Sequence, residues 1–142
     1  MIAQDVRTYL CTASGMAALF SPVATISGIY VIQAPTGALM PYMVVENSEG
    51  PREIIAANTT EETANLRITV DCGPTQMYKG SNLAEAALNA MENYRGTMGN
   101  AKDVWCECSS IRGWSGTGGA YRFQFTAKIE HTMTRNKPAG SL

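Results

Sequence analysis

Residues 121–133, YRFQFTAKIEHTM, are the stretch that decides the fold. The odd-numbered positions from Tyr121 to Met133 are apolar or aromatic apart from His131, and the positions between them are polar or charged. Because successive side chains of a β-strand point to opposite faces, this alternation predicts a long strand with one buried and one solvated face. We therefore expect a sheet that is covered on one face, as is common for antiparallel sheets.

The rest of the chain predicts further strands and helices around this one. The predicted elements are an amino-terminal helix over 3–13, a helical turn over 16–20, strands over 25–33, 41–46, 65–72 and 104–109, and a long helix from 75 or 81 to 95. Gly96 follows that helix as a candidate C-cap. The order α-β-β-β-α-β-β predicts an α+β fold in which the long helix packs on one face of a mainly antiparallel sheet. We expect one domain over 1–134 and a flexible tail over 135–142.

Length and charge argue against several classes of protein. The chain has 142 residues, a formal net charge of −1 and 16% charged residues, against about 25% in typical soluble domains. A nucleic-acid-binding protein would need a basic excess. Residues 8–45 carry no charge, but they contain no run of about 20 apolar residues, so no membrane span is predicted. Nor does the start of the chain have the pattern of a secretory signal. Low charge is typical of a subunit with partner-covered surface, since interface cores are depleted in charged residues.

Four cysteines and one histidine are the candidates for metal or nucleophilic chemistry. Cys106 and Cys108 share a strand face, but a zinc site needs four ligands, and only His131 offers a ring nitrogen. A Cys–His nucleophilic pair would need a third polar group to hold the histidine and a cation or helix terminus near the thiol. The sequence indicates neither. We expect reduced, buried thiols, His131 at the rim of the core, and no catalytic, metal or cofactor site.

Two segments lie between the predicted elements. Residues 113–119, GWSGTGG, lack the Lys-Ser/Thr pair and the following helix of a phosphate-binding loop, so they predict a hairpin loop. Trp114 in this loop either folds back on the sheet or faces a partner. Residues 47–62 predict a long polar connection around Ile54 and Ile55, of the kind that is usually functional or disordered. We expect this connection to order on contact with neighbouring subunits.

Several local patterns, taken in order, resemble the tail-terminator (tail-completion) proteins of long-tailed bacteriophages. The resemblance covers nearly the whole chain. It is carried by the amino-terminal helix and by the segments Gly28–Tyr30, Leu39–Val45, Ala64–Cys72, Asn93–Gly96 and Tyr121–Phe125. Two features depart from the family pattern: Gly28 stands where the family often has Arg, and residues 113–119 are unusually rich in glycine.

The resemblance implies a structural function that requires no chemistry. Such a subunit assembles into a ring, typically a hexamer, which caps the tail tube, stops its polymerisation and joins the tail to the head. The implied partners are further copies of the chain, the tail tube protein and a head-closure or connector protein. DNA would pass through the lumen without specific binding, and no membrane and no cofactor is implied. The implied location is the virion, at the head–tail interface, after assembly in the host cytoplasm.

The candidate residues for the assembly interface are Arg52, Glu53, Ile54, Ile55, Arg67 and Trp114. Three alternatives stay open at this point. The chain could be another connector-region or tail-tube protein, a small α+β enzyme or ligand-binding domain with a pocket near His131, or an intracellular dimer whose sheet edges pair.

Overall fold

The computed structural model describes residues 2–12, 28–56, 59–116 and 119–134, with the side chains of 47–60 and 133–134 outside the described set. In these ranges there are two helices and seven strands. The helices are α1 (Ile2–Thr12) and α2 (Met77–Met91), and the strands are β1 (Ile29–Val31), β2 (Tyr42–Ala56), β3 (Thr59–Cys72), β4 (Arg95–Met98), β5 (Ala101–Cys108), β6 (Arg112–Ser115) and β7 (Tyr121–Thr134).

Strand β7, the stretch with the clearest alternation, lies in the middle of one curled sheet. The strand order is β1-β2-β3-β7-β5-β4, and β6 also pairs with β7. Only the β1–β2 pair is parallel. Strand β3 pairs with β7 along its whole length. On the other side of β7, β6 pairs with residues 121–124 and β5 pairs with residues 127–132. The predicted α+β fold with a mainly antiparallel sheet is confirmed.

Both helices pack on the same face of the sheet, which we call the inner face. Phe125, Ala127 and Ile129 of β7 are buried there, as the alternation predicts. They share one apolar core with the inward residues of the helices, which are Ile2, Val6, Leu10, Leu83, Ala87 and Met91. Burial of each large side chain contributes about 1.5–3 kcal/mol. The Tyr9 hydroxyl donates to the Ala90 carbonyl at 2.7 Å, so the two helices are also joined directly. Neither of these helices has the length and apolar character needed to cross a membrane.

A polar contact ties α1 to the turn between β4 and β5. The Asn100 amide donates to Asp5 Oδ1 at 3.0 Å, and Asp5 is buried. Gly99, the first turn residue, has φ of 54° and lies against the Asp5 carboxylate. A side chain at this position would be strained and would also meet the carboxylate, so the contact depends on glycine.

The predicted polar connection over 47–62 is wrong. Strand β2 continues to Ala56 and β3 begins at Thr59, so most of the segment is a long β-hairpin. The alternation was hidden because the β2–β3 register shifts between Glu49 and Arg52 and again between Ile54 and Ala56. Such bulges insert an extra residue and reverse the side-chain pattern. The Gly50-Pro51 pair at the first shift is typical of a turn.

Other predicted bounds also need correction. Helix α2 ends at Met91, and Asn93 with φ of 58° takes the left-handed position that follows it. Gly96 instead lies in β4, a short strand that the sequence did not reveal. Strand β5 begins earlier than predicted, at Ala101, and β1 covers only Ile29–Val31 of the predicted strand. The predicted turn over 16–20, residues 25–27 and the tail over 135–142 lie outside the described residues.

Candidate assembly surface

The four cysteines were expected to be buried, and two of them are. Cys72 and Cys106 are buried, Cys11 and Cys108 are half-buried, and all four are free thiols. Burial, and then the nearby Glu92 carboxylate, raise the pKa of Cys106 and of Cys108 to about 12. A thiol with so high a pKa stays protonated at neutral pH and is a poor nucleophile or ligand. In the described ranges, no three His, Cys, Asp or Glu side chains are grouped to hold a metal ion.

His131 is buried, at 3% exposure, at the edge of the apolar core and opposite Glu62 on β3. Its Nε2 is 3.2 Å from Glu62 Oε2. The sequence predicted the place of His131 but not this carboxylate, because Glu62 fell in the segment interpreted as a connection. The even spacing of Glu62 with Ala64 and Leu66 is the signal that could have found it. The histidine is therefore a cross-strand partner within the sheet.

The outer face of the sheet carries no described helix. Four of its residues lie side by side on neighbouring strands: Trp114, Arg122, Asp71 and Tyr42. Arg122 donates from Nε to Asp71 Oδ1 at 2.6 Å and from Nη2 to Oδ2 at 3.2 Å. This two-point contact fixes both side chains. Burial, and then the Asp71 carboxylate, raise the pKa of Tyr42, so its phenol stays protonated beside the ion pair.

A groove of about 320 Å³ crosses the same face, between residues 32–34 and the strands β2, β3 and β7. Gln124 donates to Thr69 Oγ1 at 3.0 Å on its floor. One step further along, Arg67 donates to Glu46 at 3.1 Å. Each arginine that lines the groove is thus neutralised by a carboxylate on the adjacent strand. Ile32 lies in the lining with φ of 72°, an uncommon and strained conformation for a β-branched residue.

Both tryptophans of the chain lie on this outer face, and the guanidinium group of an arginine lies over each ring. The Arg95 guanidinium lies 5.3 Å from the ring centroid of Trp105, and that of Arg112 lies 6.0 Å from Trp114. Exposed cation–π pairs of this kind contribute about 0.5–1 kcal/mol each. Trp, Tyr and Arg are the residues most enriched at the centres of protein interfaces. The composition of the outer face is therefore that of a contact surface.

A β-bulge decides which way Trp114 points. Cys108 of β5 lies opposite Ala127, and Arg112 of β6 lies opposite Gln124. The chain therefore advances four residues from Cys108 to Arg112 while β7 advances only three. The extra residue falls near Ser109, whose amide and hydroxyl both bond to the backbone of Thr126. It reverses the alternation, so that even-numbered residues point inward from Val104 to Cys108 and outward in β6.

Gly113 completes this arrangement on the inner side. A Cβ at Gly113 would lie 2.8 Å from the ring of Phe123, so the absence of a side chain lets that ring cover β6. Trp114 points to the outer face and is 40% exposed. Residues 112–115 belong to a strand, so the predicted hairpin loop over 113–119 is wrong for its first half.

The structure brings two of the predicted interface residues, Arg67 and Trp114, to the outer face. The other four, Arg52, Glu53, Ile54 and Ile55, lie along β2 in the extended hairpin, and their side chains are outside the described set. Sequence reasoning missed Arg122, Asp71, Tyr42 and Arg112. Their positions depend on strand register and on the bulge, which no local pattern reveals.

Comparison with known proteins shows a likeness to a virion structure. No protein-family model and no curated protein matches the chain. Among solved structures, a chain of the virion of the native gene transfer agent (GTA) particle matches with a TM-score of 0.58 and 15% sequence identity. The match covers 92% of this chain and 94% of that chain. At this identity the likeness shows a shared fold over nearly the full length of both chains.

Proposed function

We propose that this chain is a structural subunit of a phage-like virion, and specifically its tail terminator. The observation that carries the proposal is the full-length fold likeness to a chain of a gene transfer agent virion. The family resemblance of the sequence points to the same kind of particle. In this role the chain forms a ring, with six copies as the expected number, that caps the tail tube and joins it to the head-closure or connector protein.

The outer face of the sheet supports a binding role. A ring requires two different complementary patches on each subunit, because its contacts run head to tail. The outer face offers aromatic and arginine side chains in fixed positions, with ion pairs already formed within it. We assign Arg67 and Trp114 to this contact surface, and Arg52, Glu53, Ile54 and Ile55 to contacts made by the β2–β3 hairpin.

The charge of the chain supports the same role. Its formal net charge is −1, and tight binding to DNA phosphates would need an excess of Lys and Arg. DNA is therefore expected to pass through the ring without being held. The subunit would act through its contacts with tube, connector and neighbouring copies in the virion.

The decisive experiment combines the purified chain with its tail tube protein and images the products by electron microscopy. A terminator gives single rings alone and tubes that stop at a capped end. A tube subunit would instead give long cylinders without any partner. A monomer at all concentrations that leaves tube length unchanged would contradict the proposal. In cells, loss of the gene should leave tails that fail to join heads.

A further inference from the structure

The solvent side of α2 carries a stripe of polar and aromatic residues, which we call the outer stripe. Its members are spaced by four, three and four residues and are all exposed: Tyr78, Asn82, Glu85 and Asn89. Tyr78, at 78% exposure, is the most exposed of the large hydrophobic residues described. No described Lys or Arg lies within ion-pair distance of Glu85. The stripe therefore offers a carboxylate and an aromatic ring to a partner.

The β6 end of the outer face has the complementary character. Arg112 and Trp114, which we call the edge patch, are both exposed and lie against each other. Arg67 and Arg122 have carboxylate partners, whereas no described carboxylate lies within ion-pair distance of Arg112. Among the described strands, β6 pairs only with β7, so its other edge is open.

The two surfaces point in opposite directions from the sheet. Helix α2 packs on the inner face, with Leu83, Ala84 and Ala87 toward the sheet, so the outer stripe points away on that side. Trp114 points away on the other side. A contact between unlike patches on opposite sides of a subunit is head to tail, and it repeats in every copy of a closed ring.

We infer that Arg112 and Trp114 of one subunit dock on the outer stripe of α2 of the next subunit. The Arg112 guanidinium donates to the Glu85 carboxylate of the neighbour, and Trp114 packs toward its Tyr78 ring. Tyr78 and Glu85 are about 10 Å apart along the helix, and Arg112 and Trp114 are about 7 Å apart along the strand. These spacings are similar enough for long side chains to form both contacts at once. The inference rests on the proposed ring, and it names a second copy because this chain itself supplies the complementary charge.

Charge reversal with compensation tests the contact. Native mass spectrometry of the full-length chain gives the concentration at which half of the protein is assembled. Arg112→Glu and Glu85→Arg should each raise this concentration about tenfold or more, because each places like charges together in the contact. The double variant should return it to near the unmodified value. Lys102→Glu, with the same change of charge at an exposed position outside both patches, is the control and should shift this concentration far less than Arg112→Glu does.

The outcomes separate this inference from the proposed function. Rings that form equally well with Arg112→Glu or Glu85→Arg overturn the inference and leave the terminator proposal standing. Single reversals that weaken assembly without rescue in the double variant overturn the pairing of these two residues. If the Arg112→Glu variant still forms rings but these no longer attach to tubes, the edge patch binds another partner, and the inference is overturned. An unmodified chain that stays monomeric and does not cap tubes overturns both. Because these residues are exposed, the thermal midpoint should not change, and circular dichroism checks this for each variant.

Discussion

Arg122 and Asp71, 51 residues apart in sequence, lie directly opposite each other on β7 and β3 and are joined by two hydrogen bonds. The pair lies between Trp114 and Tyr42 on the outer face. It joins β3 and β7, which pair over 14 residues each, on the face that no described helix covers. Under the proposed function, we expect this pair to matter more for assembly than for the stability of the fold.

We expect Arg122→Ala to lower the free energy of unfolding by about 1 kcal/mol or less, because the guanidinium is half exposed and solvent screens the pair. Assembly should suffer more, since the aromatic residues on either side lose their fixed neighbour. Urea unfolding and native mass spectrometry of the same samples measure the two effects. The control is Lys128→Ala, which removes a looser exposed pair with Glu130 at 3.8 Å. Equal effects of the two variants on assembly would contradict the prediction.

Stability should fall as the pH rises above about 9. The unfolded thiols ionise near their ordinary pKa of 9.0, whereas burial raises the folded pKa of Cys106 and Cys108 to about 12. Between these values the unfolded state binds fewer protons than the folded state, so the free energy of unfolding decreases with pH. Below pH 9 the two thiols make their full contribution to the free energy of unfolding. Each thiol adds a slope of up to about 1.4 kcal/mol per pH unit.

Urea unfolding at a series of pH values from about 8 to about 11 measures this slope. Replacing both residues, Cys106→Ala with Cys108→Ala, should make the fall shallower. The double replacement should not abolish the fall in stability, because burial also raises the pKa of Cys72 and of Tyr9. A free energy of unfolding that stays constant over this range would show that the thiols are not buried as described.

Gly113→Ala should destabilise the protein by about 1–2 kcal/mol, the usual cost of an added methyl group in a packed site. Its Cβ would lie within 3 Å of two atoms of the Phe123 ring, which would have to move. Gly116→Ala is the matched control in the same hairpin, because its Cβ would meet nothing closer than the Ala120 carbonyl at 3.7 Å. Thermal unfolding of both variants measures the difference. If the second substitution costs as much as the first, the close approach of Phe123 is not the cause.

Shortening the β2–β3 hairpin should separate folding from assembly. Glu53 and Glu61 are cross-strand partners, so residues 54–60 can be replaced by Asn-Gly, a favoured two-residue turn. We expect a change in the free energy of unfolding of under about 1 kcal/mol, since the Glu62–His131 pair separates the removed residues from the buried Ala64 and Ile129. Ring formation and tube capping should be lost. Should the shortened protein unfold at low urea, the hairpin belongs to the core; should it still cap tubes, the hairpin is not a contact element.

The sequence predicted those features of the structure that depend on neighbouring residues, and it missed those that depend on pairing between distant strands. The alternation of β7 and the helical spacing of the apolar residues Leu83, Ala87 and Met91 in α2 are local patterns, and the strand and the helix that they predict are both present. The β2–β3 hairpin was missed because bulges and Gly50-Pro51 interrupt the alternation. The pairing of Arg122 with Asp71 depends on a register between distant strands, which residue types alone do not specify.

The direction of Trp114 shows the same limit in a single side chain. By the alternation of Val104, Cys106 and Cys108, an even-numbered Trp114 would point inward. One extra residue near Ser109 reverses this and places the ring on the outer face. A bulge is fixed by the pairing of two strands, so its position is not readable from one of them.

The central place of β7 has a consequence for how the subunit is made. A ribosome synthesises β1 to β3 and β4 to β6 before it reaches residue 121, and among the described strands only β7 joins these two groups. Until that last strand is translated, neither the half that holds Asp71 nor the half that holds Trp114 has its neighbour. The nascent polypeptide therefore lacks a finished outer face until β7 has been synthesised, which delays association of this face with other molecules until that point.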